Sequence, residues 1–172
     1  MLLVGLVVFA LLGLACPRNA SHSPKMEVYK VYGVMVDYNL SLAEMIKAGQ
    51  YELINDDITG ENFPIRGTGQ QEVELMLVHL NRIVTTREVL EYLNSQGLEP
   101  AKIEHLLAFG AVYPDAQREF PIVALGSSFV ADGGSRYYPY LRSDGHERRL
   151  NLSWDDADDH WGGSCRFLAL RK

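Results

Sequence analysis

The densest chemistry in this sequence is a run of carboxylates framed by tryptophan. Asp155, Asp156, Asp158, Asp159 and His160 stand between Trp154 and Trp161. Four carboxylates in five positions fit a hard cation such as calcium, which takes several oxygen ligands. The EF-hand spacing is absent, since its glycine and terminal glutamate are missing. The run is therefore expected to be a solvated acidic hairpin loop, with calcium binding as the alternative. Trp154 or Trp161 could stack on a sugar ring, because an aromatic face supplies flat apolar contact. The second candidate is Arg136-Tyr137-Tyr138-Pro139-Tyr140. There Tyr138 and Tyr140 suit a recognition surface, as exposed tyrosines bury area at little entropy cost. The same run also reads as an edge strand, with alternate tyrosines inward and Pro139 blocking pairing.

Catalytic sets are thin. His79, His105, His146 and His160 are scattered, and none pairs with another histidine at i, i+4, so no zinc site is expected. His79 lies in an apolar run, which predicts partial burial and one hydrogen bond. Leu125-Gly126-Ser127-Ser128 lacks the full G-x-S-x-G elbow of a serine nucleophile. No G-x-x-x-x-G-K phosphate loop is present. Cys165 sits among alternating apolar residues, as a buried and inert thiol would. These readings predict no catalytic residue and no cofactor other than the calcium alternative.

The elements that must carry these residues are legible in places. Glu27 to Tyr38 is rich in Val and Tyr and reads as a strand. Ser41-Leu42-Ala43-Glu44 is a capping box, stapled by Leu40 and Met45, and Gly49 is the natural stop, which predicts a short helix over 42–48. Residues 56–71 read as loop, and Glu72 to Leu80 as a strand. Thr85-Thr86-Arg87-Glu88 is a second capping box, with Val84 and Val89 as its staple and Gly97 as its end. Pro100 then opens a third helix with Ile103, Leu106, Leu107 and Phe109 inward, stopped by Gly110 or by Tyr113-Pro114. Phe120 to Phe129 reads as one apolar strand. Arg136–Leu141 and Arg149–Trp154 follow, joined through Ser143-Asp144-Gly145, and Cys165 to Arg171 closes the sheet. Helices first and short strands after give an α+β arrangement.

The first 25 residues differ from the rest. Met1 to Ala15 is uncharged and apolar, too short for a comfortable transmembrane helix and closer to the apolar region of a signal peptide. Ala15-Cys16 looks like a bacterial lipoprotein cleavage site, with Cys16 as the lipidated residue and Pro17 to Lys25 as a polar tether. The expected organisation is a leader over 1–25 and one domain over 26–172, secreted or lipid-anchored at a cell surface. Translation from Met26 would instead give a cytoplasmic protein. Without Cys16, Cys165 is alone and no internal disulfide forms.

Composition bounds the rest. The chain has 172 residues, 47% of them hydrophobic, enough to bury a core. Its net charge of −6 argues against a general nucleic-acid binder.

Val84 to Ala111 (VTTREVLEYLNSQGLEPAKIEHLLAFGA) resembles C-type-lectin-like domains of the formylglycine-generating-enzyme type and related bacterial surface domains. Their pattern is a capped helix, a Gly, a Pro-Thr pair and a second helix carrying Glu and Trp, and they end in a strand like Trp161 to Lys172. The resemblance implies a C-type-lectin-like fold, with two or three short helices on a mainly antiparallel sheet. It also implies a ligand surface of a glycan or protein partner on the loops around Trp154 to Trp161. Here Ala101 replaces the Thr, His105 stands at the Trp position, and the enzyme's cysteine pair is missing, so its activity does not carry over. From Met26 onward the chain is also similar to small bacterial proteins that bring no function with them. The reading is a non-catalytic binding module, perched at the cell surface and tethered to the membrane by its N-terminus. Its alternatives are an intracellular structural or regulatory protein starting at Met26, and a metal-dependent enzyme built on Asp155 to Asp159.

Overall fold

The structure is a computed structural model that describes residues 30–155 and 160–172, and for residues 154 and 155 the backbone only. The described residues start in β1 (Val31–Asp37) and turn into α1 (Leu42–Gly49). The predicted capping box forms: the Glu44 amide donates to the Ser41 hydroxyl at 3.3 Å, and the Ser41 amide donates to the Glu44 carboxylate at 2.7 Å. After β2 (Leu53–Ile54) comes a long loop, then β3 (Gln70–Val78). β4 (Val84–Thr85) feeds α2 (Thr86–Ser95), whose box of Thr85 and Glu88 also forms.

The next step corrects the sequence reading. Pro100 does not open a helix; it ends β5 (Leu98–Pro100), and α3 (Ile103–Val112) begins after Lys102. The helix runs through Gly110 and stops at Tyr113, before Pro114. A single turn, α4 (Ala116–Glu119), follows. The apolar run 120–129 is not one strand but two short ones, β6 (Ile122–Val123) and β7 (Phe129–Val130). The cause is the turn at Gly126, whose amide donates to the Ala101 carbonyl at 2.8 Å instead of continuing a ladder. β8 (Arg136–Asp144) and β9 (Glu147–Asp155) form the long hairpin, and β10 (His160–Trp161) and β11 (Arg166–Arg171) complete the chain.

The architecture is mixed α+β with a mostly antiparallel sheet. Its strand order is β1-β3-β11-β6-β8-β9-β2, with β5 beside β11 and β7 beside β8, and β10 and β4 make a separate pair. β11 is not a closing edge. It lies inside the sheet, antiparallel to β3 and parallel to β6. Its residues alternate between two cores. Leu168 joins Leu75, Leu42 and Leu107 on the face covered by α1 and α3, whereas Phe167 and Ala169 join Met76, Val89 and Leu93 on the face covered by α2. The two capped helices thus pack on opposite faces, so the strands between them are buried twice. Pro139 is likewise no edge residue. It is buried opposite Leu152, and its carbonyl accepts from the Ala124 amide at 3.0 Å.

Two features fix the helices. Arg148 is buried between α1, α3 and α4. Its guanidinium donates to the Gly49 carbonyl at 2.6 Å, the Gly110 carbonyl at 2.7 Å and the Gln117 side-chain oxygen at 3.2 Å. The carbonyls lie in the last turns of α1 and α3, where orphan acceptors need donors. At the open edge of β1, the Tyr113 hydroxyl donates to the Gly33 carbonyl at 3.0 Å.

Candidate functional site

The site grows from the first turn of α3. Ala101 is tied to the sheet on both sides: its amide donates to Leu168 at 2.9 Å and its carbonyl accepts from Gly126. A Cβ at Gly126 would stand 2.4 Å from the Pro100 carbonyl oxygen, so the backbone approaches there as only glycine allows. This anchoring brings Ser127 over the helix start, where its hydroxyl accepts from the Ile103 amide at 2.9 Å. Ser127 thereby supplies the cap that Lys102 cannot.

His105 occupies the third helical position. The Lys102 amide donates to its Nδ1 at 3.0 Å, so Nδ1 carries the lone pair and Nε2 the proton. Nε2 faces the Tyr38 hydroxyl at 3.1 Å and donates to it. Burial, with a smaller contribution from the Lys102 charge, holds the imidazole pKa down to about 4. The ring is neutral at pH 7. Burial and the Glu104 charge push the Tyr38 phenol above its ordinary range.

Glu104 stands beside them, only 2% exposed. Burial raises its carboxyl above the usual value, opposed by its own amide and by the Lys102 charge. Apart from that amide, none of the described residues hydrogen-bonds to it. It lines a recess of about 450 Å³ together with Glu61, Asn62, Arg66, Lys102 and Ser127. A second recess of about 390 Å³ holds Tyr38, Gln71, Glu99 and His105, and it shares Lys102 and Gly126 with the first. The two recesses adjoin at the helix start, where they share Lys102 and Gly126.

The residues singled out by the sequence lie elsewhere. Trp161 is 8% exposed; its indole N–H donates to the Thr86 hydroxyl at 2.9 Å, and the ring packs edge-on against Tyr138 and Phe167. Tyr138 is buried in the same cluster. This corrects the expectation for both: neither ring offers an open face to a sugar, because both complete the core under α2. Tyr140 is half-buried, opposite Asn151 in the β8–β9 ladder. The backbones of Trp154 and Asp155 lie opposite Tyr137 and Arg136, and their side chains fall outside the described residues. So do Asp156, Asp158, Asp159 and Cys16. His79 is half-buried, and its Nε2 donates to the Gly163 carbonyl at 2.8 Å. Burial pushes the half-buried Cys165 thiol up, which lowers its reactivity.

Among the described residues, no group of three or more His, Cys, Asp or Glu side chains is placed to hold a metal ion. Among them too, no helix is long and apolar enough to cross a membrane. Lys102 and Glu104 are not singled out from the sequence, and Ser127 is weighed there only as a nucleophile. The signal was present: Lys102, Glu104 and His105 are the titratable residues of the otherwise apolar AKIEHLLAFGA. Compared with protein-family models, with curated proteins and with solved structures, the chain gives no match.

Proposed function

We propose that this chain is a non-catalytic binding module whose ligand sits in the cleft at the start of α3. One observation carries the reading: Glu104 is a nearly fully buried carboxylate on the wall of an open recess, with no hydrogen bond from another of the described residues. A buried charge is costly unless something pairs with it, and a ligand donor supplies the missing partner. The fixed neutral imidazole and the Ser127-capped helix start make the wall rigid, which suits recognition. The C-type-lectin-like kinship belongs to the same proposal. It is supported by the order of capped helix, Gly97 and second helix, and by the presence of β1 and β11 in one sheet. Display at a cell surface through the apolar leader belongs to it as well, supported by the sequence of residues 1–16.

The test is protein-observed NMR on the purified chain, with a panel of monosaccharides, disaccharides, amino acids, short peptides and nucleotides. The expected result is a binder whose shift changes centre on Lys102 to His105 and Gly126 to Ser128. A panel without a binder, or one whose binders all map to the β8–β9 face, overturns the placement.

A further inference from the structure

The charge pattern of the cleft says more about what it takes. Glu61, Glu104, Arg66 and Lys102 line the same recess, two of each sign. None of them forms an ion pair with another of the described residues. The ion pairs of the described residues lie elsewhere, at Arg82–Glu88, Arg118–Asp115, and among Arg142, Arg149, Asp144 and Glu147. Opposite charges that line one recess and stay apart leave room for a ligand to bridge them.

The other ligand chemistries fit less well. A simple anion would draw on the free amides of a helix start, but the Ile103 and Glu104 amides of α3, and the Lys102 amide before them, are engaged. The Ile103 amide goes to Ser127, the Lys102 amide to His105, and the Glu104 amide to its own carboxylate. The anion would also meet Glu104 itself. A hard metal cation would gather the two carboxylates against two fixed cations and find few oxygens. A neutral sugar would leave the buried Glu104 charge uncompensated.

We propose that the ligand is a zwitterion, a primary ammonium joined to a carboxylate in a molecule about the size of a dipeptide. The ammonium meets Glu104, and the carboxylate meets Lys102 and Arg66. This rests on the reading of the cleft as a binding site. The volume suits it, since recesses of a few hundred Å³ hold small organic ligands.

The experiment titrates the full chain by calorimetry and NMR with four probes: L-alanyl-L-alanine, its N-acetyl derivative, its C-terminal amide, and cellobiose. The free dipeptide should bind with shifts at Lys102 to His105, and each capped form should bind about tenfold more weakly or worse. Glu104→Gln should erase the preference for the free amine over the acetylated one. Arg66→Ala, an exposed substitution that leaves the core intact, should erase the preference for the free carboxylate over the amide. Capped and free forms binding alike would overturn the zwitterion assignment. Cellobiose binding in the cleft without the dipeptide would overturn it too, while leaving the cleft as a binding site. Absence of any shift at Lys102 to His105 with all four probes would overturn both. The capped-peptide comparison needs no variant, so misfolding of Glu104→Gln would not decide the matter.

Discussion

The two ends of α3 each bury a charged side chain, and the molecule treats the two in opposite ways. At the C-terminal end, Arg148 donates to two helix-terminal carbonyls and to Gln117, and its guanidinium lies 5.1 Å from the centre of the Tyr51 ring. At the N-terminal end, Glu104 has, among the described residues, only its own amide. Each charge has the sign that the helix dipole favours at its end. The difference lies in saturation. Arg148 meets acceptors in three directions within a closed core, so its place is structural. Glu104 keeps acceptor capacity beside an open recess, so its place is open to a ligand donor.

The comparison breaks first if Arg148 proves dispensable. Arg148→Met should cost about 4 kcal/mol, since it strips donors from the buried Gly49 and Gly110 carbonyls and from the Gln117 side-chain oxygen. Urea unfolding followed by circular dichroism measures it, and a cost below about 1 kcal/mol would remove the clasp from the account.

His105 comes next. Its folded pKa of about 4 lies below the ordinary 6.5, so the folded state resists protonation more than the unfolded chain. The stability tied to the neutral ring is fully present above pH 6.5 and is lost as pH falls towards 4. The loss should be on the order of 3 kcal/mol, read from unfolding midpoints across that range. His105→Gln should flatten this part of the profile.

Glu104 acts in the opposite sense. Its folded carboxyl is raised above the usual 4.5. The stability tied to its proton is present below that value and fades as pH rises through the raised one. Glu104→Gln should therefore be at least as stable as the parent at pH 7, even as it weakens ligand binding. A marked loss of stability at pH 7 would mean that the carboxylate is as well partnered as Arg148. The smallest effect belongs to Arg66→Ala. This exposed cation should change unfolding stability by no more than about 0.5 kcal/mol while altering binding.

Local features of the fold were legible where their causes are local. Both capping boxes, the stop at Tyr113-Pro114 and the β8–β9 turn at Gly145 depend on residues a few positions apart, and the spacing shows them, although Ser143 and Asp144 belong to the end of β8 and not to the turn. The sheet order was not legible. Whether Phe167 and Leu168 face one core or two depends on strands and helices far off in the chain, and an apolar run carries no record of its neighbours. Phe120 to Phe129 misled for the same reason: its break comes from the tie between Gly126 and Ala101. The site was less legible still. Glu104 and His105 draw their character from burial beneath the loop that carries Arg66 and beside the turn at Gly126. By contrast, Trp161 and Tyr138, which the sequence offers either as ligand contacts or as inward-facing residues, complete a core whose second layer, α2, is remote from them in the chain.

The interior place of β11 bears on how the chain is made. A ribosome delivers β1, β3, β6, β8 and β9 before it delivers Arg166 to Arg171, so the growing polypeptide holds a sheet in two halves. Both halves keep a raw strand edge until that segment emerges and slots between them. Closure is thus a late, long-range event, and nascent chains stalled before residue 166 would be the form most exposed to chaperones and to aggregation.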